Sequence, residues 1–512
     1  MTAGAAVAPA STGRGPWPLY PSLLAAAFIL DIWVEADISP YAMLRSVAVG
    51  LVVPALIALV AGALLRSRHL GGAVAGLVIV ILVGWYAQLM LAVLLVLLGV
   101  VLVLLRRIRR APIPWPRVTR ALNAFAAALL VALAVKAALH GTFGQALADL
   151  DQGSVDIPAA ATAPDDMPDI YVLLMDAYPR ADTLARVFDT DGDPFLQALE
   201  QRGLDVSRRS RTNYGVTQLT LVSMLEMRLL GDIPALEPVL DGRHEAQPLM
   251  RNLTNRGSAI EFLRDRGYRI FATGPGFEEV ALRQADSYID DGQLNEFETI
   301  LMRITGLGDI VDIAAPEAIG DSFRSRVMAT ERHAAMAVEA AKAGPQLAFI
   351  HVPSPHAPIL FGSDGARPRV DANHPYEYWL GDDTTPDRVR TAYREQLPTV
   401  DDLILKTIDT IRAGSEQPPV IIVFSDHGSL TNLDTDPDLK LSERVSNLFA
   451  ASTPGHPRLF GDVVTPVNVF PILFDAYFGT HLPRSENRSV VSAPATLFEF
   501  IDLGDPDSTP AP

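Results

Sequence analysis

The chain has 512 residues and no cysteine, and it carries 42 basic against 59 acidic side chains, for a net charge of −17. The absence of cysteine excludes disulfide bridges, zinc–thiolate sites and thiol catalysis. The mean hydropathy of +0.22 does not fit an acidic soluble protein. The charge is also uneven, since residues 1–145 carry a net +8 and the remainder −25. A basic, apolar front therefore precedes an acidic, water-soluble back, which would repel nucleic acid as a partner.

Apolar stretches fill the front of the chain, at about 19–36, 43–65, 70–105 and 119–139. The third has 36 residues without a charge. As one helix it would be ~54 Å long, against ~30 Å for the hydrocarbon core of a bilayer. We therefore predict two helices there, 70–87 and 88–105, which separate near Trp85 because aromatic side chains favour the membrane interface. The sequence predicts a five-helix transmembrane bundle over 19–140, after a cytoplasmic tail at 1–18.

Basic residues indicate the topology of this bundle. Arg66 and Arg68 precede the third and fourth predicted helices, and a second arginine cluster follows them, at positions 106, 107, 109, 110, 117 and 120. Loops rich in Arg and Lys stay in the cytoplasm, so an even number of spans must separate the two clusters. The prediction is a multi-pass protein of the plasma membrane whose residues after His140 lie on the outer face. A signal peptide is the alternative for the first stretch, but four more predicted spans follow it.

Intramembrane charges would favour a transporter or channel. Asp31 and Lys136 both lie towards the ends of predicted spans, and other charges are nearly absent from the spans. The sequence therefore favours a membrane anchor.

The back of the chain alternates short apolar runs with helical patterns. Residues 141–168, rich in Ala, Asp, Pro and Gly, are predicted to be a linker, 169–503 a catalytic domain and 504–512 a disordered tail. The predicted strands are Ile170–Met175, Arg269–Thr273, Leu347–Val352 and Val420–Phe424. The predicted helices are Pro194–Arg202, Thr217–Leu230, Ser258–Arg266, Ser322–Lys342 and Pro386–Arg412. This order indicates an α/β fold with a mostly parallel sheet flanked by helices.

Ligands bind at the carboxyl ends of the strands in such sheets. Asp176 follows the first strand, His351 and His356 lie at the end of the third, and Asp426 with His427 follows the fourth. Carboxylates together with imidazoles suit Mn²⁺ or Zn²⁺ better than Ca²⁺. For Asp176 alone a helix cap is the more common role. For Asp426 and His427 together, after an apolar strand and before a glycine, we favour a metal site.

The segment 211–220 offers a nucleophile. Thr217 would stand at the first turn of a helix, where free N–H groups and a partial positive charge attract phosphate. A metal ion on its hydroxyl would make it nucleophilic at neutral pH. Local sequence alone favours an N-cap role for Thr217, and Thr212, Thr220 and Ser223 are rival hydroxyls.

These motifs, in this order, resemble the alkaline phosphatase/sulfatase superfamily over roughly residues 168–480. The likeness is greatest to membrane-anchored sulfatase-like enzymes such as lipoteichoic acid synthases and phosphoethanolamine transferases. The motifs are Asp169-Ile-Tyr-Val-Leu-Leu-Met-Asp176, Asn213-Tyr-Gly-Val-Thr217-Gln-Leu-Thr220, His351-Val-Pro-Ser-Pro-His356-Ala-Pro358, Phe424-Ser-Asp426-His427-Gly428 and Thr465-Pro-Val-Asn468.

The resemblance implies a role for each matching position. The metal ligands would be Asp176, Asp426, His427 and Thr217, and Thr217 would also be the nucleophile, with Thr220 as its companion hydroxyl. His356 would contact the transferred phosphate group with help from His351. Three further substrate contacts are predicted from closeness in sequence alone: Asn213, Arg211 and Arg444. For Arg444 a solvated helix charge is the alternative.

Departures from the family pattern narrow the expected chemistry. The chain has no Cys/Ser-x-Pro-x-Arg motif near Thr217, so the formylglycine route of true sulfatases is not expected. Two-zinc members carry a further histidine soon after the Asp-His-Gly motif, and none follows here before His456. One divalent metal ion, Mn²⁺ or Zn²⁺, is therefore predicted. The missing disulfides favour the lipoteichoic acid synthase side of the resemblance.

The sequence thus predicts a membrane-anchored, metal-dependent hydrolase or transferase acting on phosphate esters or diesters. The expected substrate is a membrane lipid or lipid-linked phosphate, with a head group such as phosphoglycerol or phosphoethanolamine. A catalytically degenerate binding or scaffolding protein is the main alternative, and a sulfuric ester hydrolase is a further one.

Overall fold

The computed structural model describes residues 15–36, 38–87, 99, 113–148, 155, 157, 167–240, 247–315, 317–369, 384–429, 431, 433, 436–493 and 496–504. Nearly all of the predicted helix at 88–105 and of the tail at 504–512 lies outside these residues. The chain divides into two compact units, Met1–His140 with Leu301–Leu307, and Gly141–Ile300 with Gly308–Pro512.

The front unit contains long apolar helices. Their bounds are α1 Tyr20–Ala36, α2 Pro40–Leu64, α3 Arg68–Ala87 and α4 Trp115–Ala148. In the described residues two segments, Pro40–Leu64 and Trp115–Leu139, are long and apolar enough to cross a membrane. Exposed apolar side chains such as Leu56, Val60 and Val131 occur on both. The predicted bundle of five spanning helices is not established by these residues.

Small and polar residues hold the front helices together. A Cβ on Gly71 of α3 would collide with the backbone of α2 at Ala58 and Gly62, so glycine permits the close approach of the two helices. Asn123 of α4 accepts hydrogen bonds from the N–H groups of Leu19 and Tyr20, both at 2.9 Å. The first turn of α1 thereby gains partners for donors that a helix N-terminus leaves free.

The back unit is built on a seven-stranded mixed sheet. The strands are β1 Ile170–Met175, β2 Asp205–Val206, β3 Arg269–Thr273, β4 Ser287–Ile289, β5 Gln346–Val352, β6 Val420–Phe424 and β7 Phe449–Ser452. Their order is β2-β7-β6-β1-β5-β3-β4, with β4, β3, β5, β1 and β6 parallel and the β7 and β2 edge antiparallel. A separate hairpin pairs β8 Val490–Ala493 with β9 Thr496–Asp502.

Helices cover both faces of the sheet. They are α5 Ala181–Phe188, α6 Asp193–Gln201, α7 Thr217–Glu226, α8 Glu237–Leu240, α9 Gln247–Arg256, α10 Ser258–Asp265, α11 Glu296–Thr305, α12 Leu307–Ala314, α13 Ala318–Met328, α14 Thr330–Ala341, α15 Pro386–Gly414, α16 Pro437–Val445 and α17 Val469–Phe478. On one face α7, α10 and α17 pack on alternate strand residues in the largest core cluster. On the other side of the core, α14 packs against β5 and α15.

The α/β fold and its central strands are confirmed, and three predicted strands match to the residue. Two helices differ from the prediction. The helix expected to reach Leu230 ends at Glu226 because Met227 adopts a left-handed conformation, with φ +57°. The helix expected over Ser322–Lys342 is two helices, α13 and α14. The antiparallel edge was missed because β2 and β7 have only 2 and 4 residues.

An aromatic cluster between α10 and α17 stabilises this core. Phe474 stacks on Phe262 at 4.3 Å between ring centroids and contacts Phe470 and Phe478. We expect Phe474→Ala to lower the free energy of unfolding by about 3–5 kcal/mol, because it opens a large buried cavity. Thermal melting of the full chain measures this, with Phe474→Leu as the milder control. An unchanged melting temperature for Phe474→Ala would contradict the packing described.

Candidate functional site

Three adjacent central strands end at the same place. β1 lies between β5 and β6, and all three run parallel, so their carboxyl ends meet at one edge. Asp176 follows β1, His351 lies near the end of β5, and Asp426 with His427 follows β6. The strands are fully buried apolar segments. The polar side chains therefore begin where the hydrophobic runs stop.

Asp176, Asp426 and His427 form a buried cluster that could hold a metal ion. One ligand atom from each lies within 4.8 Å of the others. Nε2 of His427 is 3.2 Å from Oδ2 of Asp426 and 3.6 Å from Oδ1 of Asp176. Both of these oxygens are buried and have no hydrogen-bond partner among the described residues. Because buried carboxylate oxygens are normally satisfied, two orphaned ones facing one imidazole nitrogen fit a divalent cation.

The second ring nitrogen of His427 fixes its tautomer. Nδ1 lies 2.8 Å from the carbonyl oxygen of Gly428. A carbonyl oxygen only accepts, so Nδ1 carries the proton and donates it. Nε2 is left with its lone pair facing the two carboxylates, as metal-binding histidines require.

The two carboxyl groups of the cluster have opposite pKa shifts. Burial and the charge of Asp176 raise the pKa of Asp426. Burial acts the same way on Asp176, but the imidazoles of His356, His351 and His427 outweigh it and hold the pKa of Asp176 well below its usual range. One carboxylate is thus firmly ionised, and the other needs a nearby positive charge to become so.

Thr217 faces this cluster from the start of α7. Its Oγ1 lies 3.3 Å from Nε2 of His427. Thr217 is the first residue of α7, after the extended Val216, whose side chain makes no cap hydrogen bond. The first N–H groups of a helix have no partner within it, so this end of α7 favours an anion.

The three rival hydroxyls hydrogen-bond to other groups of the protein. Thr220 Oγ1 donates to backbone carbonyls, among them that of Asp426 at 3.1 Å, and also lies 3.0 Å from Thr212 Oγ1. Ser223 Oγ donates to the carbonyl of Arg228 at 2.7 Å. All three side chains are fully buried. Of the four candidate hydroxyls, Thr217 is the one beside His427.

The two predicted histidines occupy different positions. The ring of His356 lies 6.3 Å from that of His427, measured between centroids, and its Nδ1 lies 2.6 Å from the carbonyl oxygen of Ala357. Substrate contact by His356 stays a prediction. His351 lies instead beside Asp176, with Nε2 3.3 Å from Oδ2. His351 is thus placed to orient a carboxylate.

The remaining predicted contacts lie near Thr217 in differing settings. The amide of Asn213 is occupied, because it donates to the carbonyl of Arg488 and accepts from the N–H of Val467, both at 3.0 Å. Arg211 lies in the same segment, where its N–H donates to the carbonyl of Val464. Substrate contact by either residue stays a prediction.

Arg444 lies between two loops of the site. Its carbonyl accepts from the N–H of Gly428 at 2.8 Å, and its Cβ would be 3.7 Å from a Cβ on Gly215. Its guanidinium donates to the carbonyl of Ser492 at 3.3 Å, and burial lowers its pKa. The alternative of a freely solvated charge does not fit this setting.

The supporting residues were not predicted from the sequence. Ser425 donates to the carbonyl of His427 at 2.6 Å and accepts from the N–H of Tyr178 at 2.8 Å, so it ties the β1 loop to the β6 loop. A Cβ on Gly428 would collide with the carbonyl of Glu443, which makes glycine necessary there. Tyr178 follows Asp176 by two residues, and Ser425 directly precedes Asp426. This closeness in sequence is the signal that could have found them.

A known family model matches part of this chain. Residues 208–456, just under half of the chain, match the Sulfatase family model. The resemblance to the alkaline phosphatase/sulfatase superfamily is thereby confirmed, and members of that superfamily are hydrolases or transferases acting on phosphate and sulfate esters. No curated protein sequence matches the chain.

Several solved structures are similar to the chain at low sequence identity. The C-terminal periplasmic domain of EptC from Escherichia coli is 14% identical, with a TM-score of 0.42 over 70% of this chain and 97% of that one. Phosphonate monoester hydrolase of Agrobacterium radiobacter is 15% identical, at 0.41 over 63% and 80%. The integral membrane lipooligosaccharide phosphoethanolamine transferase EptA from Neisseria meningitidis is 12% identical, at 0.39 over 89% and 83%. At these TM-scores the likenesses carry no argument about the reaction.

Removing one carboxylate tests the candidate metal site. We expect Asp426→Asn to weaken Mn²⁺ or Zn²⁺ binding at least about a hundredfold, because even residues behind metal ligands are worth 10–100-fold. Metal-free Asp426→Asn should melt above the metal-free wild type, since two buried like charges repel. Calorimetric titration and melting of the full chain measure both. Asp387→Asn, whose side chain is 95% exposed, is the control, and equal affinities would contradict the site.

Asp401 of α15 gives a pH-dependent prediction. It accepts from the hydroxyl of Tyr178 at 2.8 Å, and burial raises its pKa to about 7 from 3.8. The folded state thus holds a proton that the unfolded state releases, so stability falls as pH rises from about 4 to about 7. We expect Asp401→Asn to remove up to about 4 kcal/mol of this loss. Urea unfolding at pH 5 and pH 8.5 checks this against the exposed Asp402→Asn, and an unaltered pH response would contradict it.

Proposed function

We propose that this chain is a metal-dependent hydrolase or transferase of phosphate esters or diesters in which Thr217 is the nucleophile. The observation that carries the proposal is the position of Thr217 Oγ1, 3.3 Å from His427 Nε2 within a cluster that has two orphaned carboxylate oxygens. A sulfatase-family domain supports phosphoryl transfer or hydrolysis as the reaction class.

Asp176, Asp426, His427 and Thr217 would hold one divalent metal ion, Mn²⁺ or Zn²⁺. When bound, the ion supplies positive charge that favours the ionised threonine hydroxyl and stabilises charge on the phosphoryl oxygens. The pKa of Asp426, raised by burial and by Asp176, fits this role, because such a carboxyl ionises readily only beside a cation.

The remaining steps belong to the chain's own residues. Thr217 Oγ1 gives up its proton and attacks phosphorus to form a phosphothreonine ester. The P–O bond to the leaving group breaks, and the leaving oxygen takes up a proton and departs as the alcohol. The first N–H groups of α7, at the positive end of the helix dipole, stabilise the negative charge of the phosphoryl oxygens. His356 Nε2 contacts the transferred group, with Arg444 as a further candidate. Water or a second alcohol then takes the phosphoryl group from Thr217, which gives hydrolysis or transfer.

The class of substrate is proposed from the two apolar helices of the front unit. Two apolar helices long enough to cross a membrane, Pro40–Leu64 and Trp115–Leu139, would keep the domain beside lipid on the outer face of the plasma membrane. We therefore propose a lipid or lipid-linked phosphate, with phosphoglycerol or phosphoethanolamine as the head group.

Two alternative functions are a catalytically degenerate binding or scaffolding protein and a sulfuric ester hydrolase. Degeneracy is disfavoured because the full set of Asp176, Thr217, Asp426 and His427 converges and no member is replaced. Sulfatase chemistry through formylglycine is disfavoured because threonine stands at the nucleophile position. Metal content of the purified chain separates the first alternative from the proposal.

Replacing the nucleophile is the most direct test of the proposed reaction. We expect Thr217→Ala to lower kcat on a chromogenic phosphodiester with Mn²⁺ at least about a thousandfold, because loss of a nucleophile removes the covalent route. Thr217→Ser should keep part of the activity, and intact mass should reveal an adduct on the wild type but none on Thr217→Ala. Thr220→Ser, a neighbouring hydroxyl with a structural role, is the matched control. Activity of Thr217→Ala within tenfold of the wild type would sink the proposal.

A further inference from the structure

The turn that directly follows Asp176 is hydrogen-bonded to α15. Ala177, directly after Asp176, has a left-handed backbone with φ +62°, which a non-glycine residue rarely adopts without support. Its carbonyl accepts a hydrogen bond from the Tyr393 hydroxyl at 2.7 Å, in a fully buried setting. Tyr393 is itself fixed by stacking on Phe188, at 4.2 Å between ring centroids.

The loop that carries His356 is held by the same helix. Gln396, which is fully buried, donates from Nε2 to the carbonyl of Pro355 at 2.8 Å. Its Oε1 accepts from the N–H of Leu360 at 3.4 Å. Gln396 therefore contacts the backbone on both sides of His356.

These bonds close a circuit. The His356 N–H donates to the carbonyl of Asp176 at 3.0 Å, which joins the two loops to each other. Tyr393 and Gln396 are three residues apart, so they lie on one face of α15, one turn from each other. The circuit runs from Tyr393 through Ala177 and Asp176 to His356, and through Pro355 back to Gln396 on the same helix.

We propose that Tyr393 and Gln396 are positioning residues that set the distance between the metal-binding edge at Asp176 and the substrate-contacting His356. The proposal rests on the proposed function, because it assigns the two residues to that reaction. Neither side chain touches the reacting atoms, so each acts through backbone carbonyls. Tyr393 fixes the loop after Asp176 with one hydrogen bond, and Gln396 fixes the loop of His356 with two.

The two residues should affect different quantities. Tyr393 acts on the turn of Asp176, so Tyr393→Phe should weaken Mn²⁺ binding by about tenfold, in the range for residues behind metal ligands. Gln396 acts on the His356 loop, so Gln396→Met should lower kcat by about tenfold while the Mn²⁺ dissociation constant stays within about threefold.

Matched controls lie at the opposite ends of the central strands, where β5 and β6 begin. The Tyr477 hydroxyl donates to the carbonyl of Pro454 at 2.8 Å, beyond the end of β7. Gln346, at the start of β5, donates from Nε2 to the carbonyl of Ala337 at 2.6 Å. Tyr477→Phe and Gln346→Met thus remove the same kinds of bond far from the site. They should lower the melting temperature as much as the test variants do, without changing metal affinity or kcat.

The experiment measures Mn²⁺ affinity by calorimetry and kcat and KM on a chromogenic phosphodiester, in the full chain, at a temperature where every variant is folded. The expected result is a selective loss of affinity in Tyr393→Phe and of kcat in Gln396→Met. If both match their controls while the wild type binds Mn²⁺ and turns over, this inference alone is overturned. Where the wild type binds only Zn²⁺, the same measurements use Zn²⁺. A wild type that binds neither Mn²⁺ nor Zn²⁺ overturns the proposed function together with it.

Discussion

Two carboxylates buried side by side are the constraint on which the rest of the site depends. Asp176 and Asp426 lie at the ends of neighbouring strands, almost without exposure, and each keeps one oxygen without a partner among the described residues. Like charges in a buried setting cannot both ionise without compensation. The imidazoles supply part of it for Asp176, while the raised pKa of Asp426 marks what remains uncompensated. A divalent cation is the simplest group that removes the conflict.

The surrounding fold holds the site loops by hydrogen bonds to their backbone. It does so without contacting the reacting atoms. Thr220 anchors the carbonyl of Asp426, Ser425 joins the β1 and β6 loops, and α15 holds the turn after Asp176 and the loop of His356. Each of these contacts is a hydrogen bond to a buried carbonyl or amide. Such groups are costly to leave unpaired, so the loops have few alternative conformations.

The sequence predicted the parts of the fold that follow from hydrophobic runs. β1, β3 and β6 were located to the residue, and convergence at the carboxyl edge followed from the parallel sheet. The short strands β2, β4 and β7 were not predicted, because their pairing depends on neighbours distant in sequence. For the site, local sequence left four hydroxyls open and the family resemblance favoured Thr217. Local sequence could not choose, since the choice depends on which hydroxyl faces His427. Tyr393 and Gln396 were missed because they lie over 200 residues from Asp176, on a helix without a motif.

Anomalous diffraction from crystals of the full chain grown with Mn²⁺, collected at the manganese absorption edge, tests the central claim most directly. The account predicts one anomalous peak within coordination distance, about 2.0–2.3 Å, of Asp176, Asp426 and His427, with Thr217 Oγ1 beside it. A peak elsewhere in the domain, or direct hydrogen bonding between the two carboxyl groups with no peak between them, would contradict it.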